Sequence, residues 1–122
     1  MSWFSDSFLC VLLGCTHTLE FTLPTSETLQ VVVRESDSIL ERCQILPDSP
    51  AQRDLIEWLA ENKNGWKKTP VSYASSSDVS ISGKTFSINF IDQTVVIFYN
   101  LQQFDHAVDP KQYQSLICSN YK

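Results

Sequence analysis

The chain has 122 residues, of which 43% are hydrophobic and 19% are charged, and these values are ordinary for one globular domain. Nine basic and fourteen acidic side chains give a net charge of -5, and because such a surface repels phosphate backbones, nucleic acid is excluded as the expected partner. No apolar run approaches the roughly 18 residues that a membrane-crossing helix needs, so the sequence predicts no such helix.

The first predicted element is the apolar run Phe-Leu-Cys-Val-Leu-Leu over 8–13, which ends in the motif Leu12-Leu13-Gly14-Cys15. Two large apolar residues and a glycine directly before a cysteine resemble the lipobox of bacterial lipoproteins. In that family a peptidase cuts before the cysteine, whose thiol carries a diacylglycerol and whose new amino group is acylated. The resemblance implies a signal segment over 1–14, a lipid on Cys15 and a mature domain over 15–122.

The same resemblance implies a location at the periplasmic side of a membrane, since lipid on both groups of one residue supplies the several chains that stable anchoring needs. Thr16 follows the cysteine and carries no retention signal, which favours the outer membrane. A second interpretation stays open, because a short continuous apolar run is also typical of a buried core strand. In that case residues 1–14 belong to the folded domain, and the protein is cytoplasmic.

The four cysteines have different fates under the two interpretations. As a lipoprotein, the chain loses Cys10 with the signal segment and carries lipid on Cys15. Cys43 and Cys118 then remain in an oxidising compartment, where we expect them to form a disulfide. In the cytoplasm all four thiols are reduced. No C-x-x-C motif occurs, so the sequence indicates neither a zinc knuckle nor a thioredoxin-type site.

Six segments have the residue patterns of β-strands. They are 18–23, 29–33, 38–46, either 71–74 or 79–82, then 85–91 and 94–99. Phe86, Ile88 and Phe90 alternate with polar or smaller residues, which predicts one buried face for their strand. The segment 94–99 is apolar on both faces after its first residue, and since an apolar edge strand invites aggregation, we expect it at the centre of the sheet.

The first predicted helix begins at Ser49-Pro50. The serine hydroxyl can accept a hydrogen bond from a free amide one turn on, and proline suits the first helical position. Good helix formers follow over 51–62, and Asn64-Gly65 should end the helix because both residues accept a left-handed backbone. The apolar stripe is predicted to comprise Leu55, Ile56 and Leu59.

A second, short helix is predicted from Asp109-Pro110 to Cys118, because the same cap and proline signal is repeated there. Together the elements predict a single small α+β domain. We expect an antiparallel sheet of about five or six strands with two helices packed on one face.

The linear motifs that usually mark a catalytic or cofactor site are absent from the sequence. Three glycines are too few for a P-loop or a dinucleotide fingerprint, and no zinc-protease, serine-hydrolase or EF-hand motif occurs. His17 is expected in the tether after Cys15. His106 lies between Asp105 and Asp109, either of which could orient its ring, although a loop histidine beside helix-capping acids is the commoner arrangement. We expect that the protein is not an enzyme and binds neither a metal nor another cofactor. The alternative is a hydrolase that uses His106.

The aromatic residues favour a binding protein, because they are too many for one small core and because Trp and Tyr are common interface anchors. One candidate surface is the loop around a tryptophan that is either tucked under its own loop or open to a partner. The other is an acidic segment. The residues are Trp66, Lys67 and Lys68 in the first surface and Glu35, Asp37 and Glu41 in the second.

These patterns predict a non-enzymatic periplasmic lipoprotein that acts as an immunity or inhibitor protein against a cell-envelope toxin or hydrolase. The expected partners are that protein and the membrane that the lipid enters. A structural or assembly lipoprotein of an envelope machine fits the same features. A cytoplasmic adaptor or immunity protein fits if residues 1–14 form a core strand.

Overall fold

The structure is a computed structural model, and it describes residues 16–35, 38–70, 78–113 and 118. These residues form a small, mostly β domain with seven strands and two helices. The elements are β1 (Leu29–Glu35), β2 (Ser38–Ile45), α1 (Pro50–Glu61), β3 (Lys67–Thr69), β4 (Val79–Ser82), β5 (Phe86–Ile91), β6 (Thr94–Tyr99), β7 (Gln102–Ala107) and α2 (Pro110–Tyr113). The predictions for 1–15, Asp37, 71–74 and 114–117 lie outside the described residues.

All seven strands belong to one antiparallel sheet, in the order β2-β1-β4-β5-β6-β7-β3. The prediction of five or six strands is wrong because two strands lack apolar alternation. Strand β3 reads Lys-Lys-Thr, and β7 reads Gln-Gln-Phe-Asp-His-Ala. Each is defined by its ladder, since β7 pairs with β6 along its whole length and β3 pairs with β7. Pairing with a neighbour therefore decides the conformation where the local pattern is weak.

The predicted strand 18–23 is not part of the sheet. The alternation of apolar and polar residues does predict burial, since Leu19 and Leu23 are buried. These residues pack against the sheet, however, and the segment does not pair within it. The half-buried Phe21 shows this, because its ring lies 4.8 Å from the ring of Phe86 on β5.

The core lies along one face of the sheet. Val31, Ile81, Ile88, Ile97 and Phe104 are successive cross-strand neighbours from β1 through β4, β5 and β6 to β7. All five are buried, and side chains directly opposite on neighbouring strands share a face. The predicted buried face of β5 is confirmed, and β6 lies between β5 and β7 as its apolar sequence predicts.

Helix α1 begins with the predicted cap, as the Ser49 hydroxyl accepts a hydrogen bond from the Gln52 amide at 3.1 Å. The predicted stripe is wrong at Ile56, which is 37% exposed, because the buried positions are centred on Leu55 and Trp58. The Trp58 ring meets the Phe90 ring of β5 edge to face, with 5.7 Å between the centroids. The buried residues of the helix are Ala51, Gln52, Leu55, Trp58 and Leu59.

Helix α2 starts at the predicted signal. The Asp109 carboxylate accepts a hydrogen bond from the Lys111 amide at 3.0 Å, so an acidic side chain caps the first turn. The helix is assigned over Pro110–Tyr113, and the remainder of its predicted length falls on residues outside the description.

Cys43 and Cys118 lie at disulfide-bond distance, which fits the predicted pair. Their Cα atoms are 5.5 Å apart, and 75 residues separate them along the chain. Cys43 lies on strand β2 at the edge of the sheet, whereas Cys118 is buried in the core cluster. The crosslink therefore ties the C-terminal region to the edge strand that begins the sheet order.

Removing this crosslink should destabilise the fold. A variant with both Cys43→Ala and Cys118→Ala should lose about 4 kcal/mol of unfolding free energy, because the unfolded chain is no longer restricted by a loop of this length. Urea unfolding, followed by tryptophan fluorescence, measures the loss. Reductant should lower the stability of the wild type to that of the variant and leave the variant unchanged, and equal stability of the two oxidised proteins would contradict the crosslink.

Candidate functional site

The candidate residue Trp66 is fully buried, with 0% of its side chain exposed. Its indole N–H donates a hydrogen bond to the carbonyl oxygen of Asn62 at 2.5 Å. Its backbone pairs with His17 through N–O distances of 2.6 and 3.0 Å. Of the two alternatives that the sequence allows, the tryptophan is tucked under its own loop, and its side chain cannot serve as a surface anchor.

His106 packs directly on this tryptophan, with 4.9 Å between the ring centroids. It lies on β7 and not in the expected loop. Its Nε2 is 2.8 Å from the carbonyl oxygen of Asn64, and its Nδ1 is 2.6 Å from that of Ala107. Backbone oxygens, and not a carboxylate, therefore orient the ring. The imidazole ties β7 to the loop after α1, and both ring nitrogens face backbone carbonyl oxygens.

Gly65 lies beside this histidine at a turn whose backbone conformation favours glycine. Its φ of +83° is in the left-handed region that favours glycine, and a Cβ at this position would lie 3.4 Å from Nε2 of His106. The predicted stop at Asn64-Gly65 is too late, because the helix ends at Glu61 with Asn62 as its C-cap, and Gly65 turns the chain after the helix has ended.

A polar cleft of about 350 Å³ opens where the N-terminal segment crosses β3, β6 and β7. Its aromatic floor is a stacked pair, Tyr99 and Phe104, with 5.7 Å between the ring centroids. Burial raises the pKa of the Tyr99 hydroxyl; a backbone hydrogen bond with Glu20 opposes this, and the charge of the Glu20 carboxylate adds to it. The phenol is therefore a neutral hydrogen-bonding group at physiological pH. The cleft is lined by His17, Thr18, Glu20, Lys68, Tyr99, Gln102 and Phe104.

The basic candidates lie at one edge of the sheet. Lys67 and Lys68 are exposed on the three-residue strand β3, and Pro70 follows that strand. A short edge strand with lysines and a nearby proline discourages pairing with another strand. This edge is therefore poorly suited to bind an extended partner.

The acidic candidates lie at the opposite edge. Glu35 is exposed at the end of β1, and Glu41 is half-buried on β2. The β1–β2 register shifts here, since Val33 pairs with Glu41 while Arg34 pairs with Ile39. The bulge leaves Leu40 outside the register, with 60% of its side chain exposed.

The structure therefore separates the two predicted surfaces. The order of the strands places β3 and β2 at the two ends of a seven-stranded sheet, so they cannot form one site. The edge strand β2 has eight residues and carries two exposed aliphatic residues that sequence reasoning assigned only to a strand, Ile39 and Leu40. No local signal marks them, because the bulge that exposes Leu40 is a property of the pairing.

No known protein family matches this chain, and neither does any curated protein or solved structure. Function is therefore inferred from geometry. Across the described ranges, no group of three His, Cys, Asp or Glu side chains could hold a metal ion. Of the helices in those ranges, none has the length and apolar character needed to cross a bilayer.

The two core tryptophans offer a matched test of the hydrogen bond at Trp66. Trp66→Phe should destabilise the protein by about 1–2 kcal/mol more than Trp58→Phe, because only Trp66 loses a satisfied indole bond. Within the described residues, the buried indole nitrogen of Trp58 has no hydrogen-bond partner. Urea unfolding followed by far-UV circular dichroism gives both values. Equal losses would show that the bond to Asn62 contributes nothing.

Tyr99 should titrate above the ordinary tyrosine pKa of 10.0. Burial raises its pKa above 10.0 in the folded state, so the folded protein disfavours the ionised phenol. The stability that depends on the neutral phenol is fully present below pH 10.0 and is lost as the pH rises through the pKa of the folded state. Absorbance at 295 nm from pH 8 to 13 measures the ionisation. Tyr99→Phe should remove a component whose midpoint lies above 10.0, and loss of a component at or below that value would refute the burial effect.

Proposed function

We propose that this protein is a non-enzymatic binding protein of the bacterial periplasm, anchored to the outer membrane by lipid on Cys15. The pairing of Cys43 with Cys118 supports the location, because disulfides persist in oxidising compartments and are rare in the cytosol. The lipobox-like motif supports the anchor, since it supplies the cysteine that the family acylates.

Within this class, the proposed role is that of an immunity or inhibitor protein against a cell-envelope toxin or hydrolase. The observation that carries it is the position of β2 at one edge of the sheet that the described residues form. An edge strand presents unpaired backbone donors and acceptors to an added strand, and here it also presents the exposed side chains of Ile39 and Leu40. Such an edge can hold an extended segment of the target.

The net charge of the chain favours a target of opposite sign. Glu35 and Glu41 lie beside the two exposed aliphatic residues together with Arg34 and Arg42, so the charges at the edge itself balance, and the negative sign comes from the net charge of -5 of the chain as a whole. Complementary charge accelerates association with a basic surface and fixes the register of docking. The proposed partner therefore brings a basic, extended segment to β2.

We also propose that both helices pack on one face of the sheet, which keeps the β2 edge accessible. The contact of Trp58 with Phe90 supports this for α1. For α2 the support is Val108, which is buried in the core cluster just before the helix begins.

The test uses the bacterium of origin with the gene deleted. Wild-type protein should restore resistance of the cells to their own envelope toxin or hydrolase, whereas Leu40→Asp should not, because a charge at the centre of a buried contact weakens binding by about 30-fold or more. Survival and the leakage of a periplasmic marker are measured. Intact-mass spectrometry of the recovered wild type should show cleavage before Cys15 and the added acyl chains.

Two controls separate anchoring from binding. Gln112→Asp adds the same charge on the exposed surface of α2 and should protect like the wild type. Cys15→Ser should abolish acylation. A recovered protein that retains its initiator end and bears no fatty acid contradicts the anchor. Full protection by Leu40→Asp contradicts the role of the β2 edge.

A further inference from the structure

The turn between β6 and β7 holds an exposed leucine in a strained conformation. Asn100 and Leu101 have φ angles of 52° and 60°, so both residues are left-handed, as in a type I′ hairpin turn. Asparagine tolerates this region, but the second position strongly favours glycine, and a bulky residue is disfavoured there. Leu101 is nevertheless 86% exposed. No burial of its side chain therefore compensates for the strain of its backbone or for the contact of an apolar group with water.

The hairpin under this leucine is firmly held. Tyr99 pairs with Gln102 across the turn, and the Tyr99 ring contacts the rings of Phe104 and Phe21 with centroid distances of 5.7 and 5.1 Å. The tip therefore projects a large apolar side chain from a rigid base, and little conformational entropy is lost when it is buried by a partner.

An apolar groove of about 270 Å³ lies between the N-terminal segment and helix α1. The two walls are joined at both ends, because the Leu19 amide donates to the Lys63 carbonyl oxygen at 2.6 Å and the Gln52 side chain donates to the Thr25 carbonyl oxygen at 2.9 Å. An apolar cavity of roughly 150 Å³ holds a benzene molecule, so this groove has room for one leucine side chain. Its apolar lining comprises Leu19, Phe21, Leu23, Ile56, Leu59 and Ala60.

The leucine and the groove are neighbours on the molecule. Phe21 forms part of the groove wall and also contacts Tyr99, two residues before Leu101. One chain therefore presents an apolar projection and an apolar recess side by side. Across a two-fold axis, the projection of each copy can face the recess of the other, which is the self-complementary arrangement that closes a dimer.

We propose that two copies of this chain form a symmetric dimer in which Leu101 of each copy inserts into the groove of the other. The interaction is independent of the target-binding role proposed for β2, because β1, β4 and β5 separate that strand from the hairpin of β6 and β7 and no residue of β2 lines the groove. The turn residues carry no charge, and the charged residue that lines the groove is Lys63. Dimerisation should strengthen with salt, since both copies have net negative charge.

Sedimentation equilibrium of the full chain tests the dimer. The wild type should give twice the monomer mass, and Leu101→Asp should raise the dimer dissociation constant by about 30-fold or more, as expected when a buried anchor is lost. Ile56→Asp should do the same from the groove side. The matched control Leu46→Asp changes an exposed leucine after β2 and should leave the dissociation constant unchanged.

Leu101→Gly supplies a second readout on a variant that must fold, because glycine relieves the strained turn. It should raise the thermal midpoint of the monomer and still prevent dimerisation. A wild type that stays monomeric at its highest soluble concentration overturns the proposal. So does a dimer that Leu101→Asp leaves intact, a dimer that Leu46→Asp breaks instead, or an open-ended series of larger oligomers.

Discussion

The rest of the structure depends on the hydrogen bond from the Trp66 indole to the Asn62 carbonyl oxygen. It fixes the end of α1 to the residue that leads into β3, and the same residue pairs through its backbone with His17. Trp66 also contacts the rings of Trp58 and His106. One residue thus joins the helix and the last strands of the sheet through its side chain and the N-terminal segment through its backbone. A residue with so many structural contacts is unavailable for recognition.

The two edges of the sheet differ in what they allow. At β3 the strand is short, basic and followed by proline, so the backbone is protected from further pairing. At β2 the strand is long and carries exposed aliphatic side chains beside both an acidic and a basic one. The crosslink from Cys43 to Cys118 reinforces this second edge at its own strand. Within the described part of the chain β2 has a strand on one side only, so the disulfide restrains this strand where pairing does not.

Local chemistry in the sequence predicted several elements correctly. Ser49 with Pro50 located the start of α1, and the alternation around Ile88 identified the buried face of β5. The pairing of Cys43 with Cys118 followed from the lipoprotein resemblance and fits the structure. In each case the signal lies within a few residues or follows from a count of thiols.

The remaining features depend on contacts between distant residues. Strand β7 has a polar sequence and becomes a strand because β6 pairs with it. Trp66 looks exposed among lysines and asparagines, yet it is covered by His17 and His106, which are 49 and 40 positions away in the chain. The exposure of Leu40 arises from a bulge in the β1–β2 register. Sequence periodicity contains none of these pairings, so neither the burial of the tryptophan nor the apolar edge could be predicted from it.

Hydrogen exchange of the Trp66 indole proton, followed by NMR, tests the central role of this residue most directly. If the bond to Asn62 joins the helix to the sheet, that proton should exchange only when the whole domain unfolds, with a protection that matches the unfolding free energy from denaturant. The Trp58 indole proton serves as the internal reference, since it is buried without a described partner. Exchange of the Trp66 proton at the rate of a freely opening loop would contradict the account.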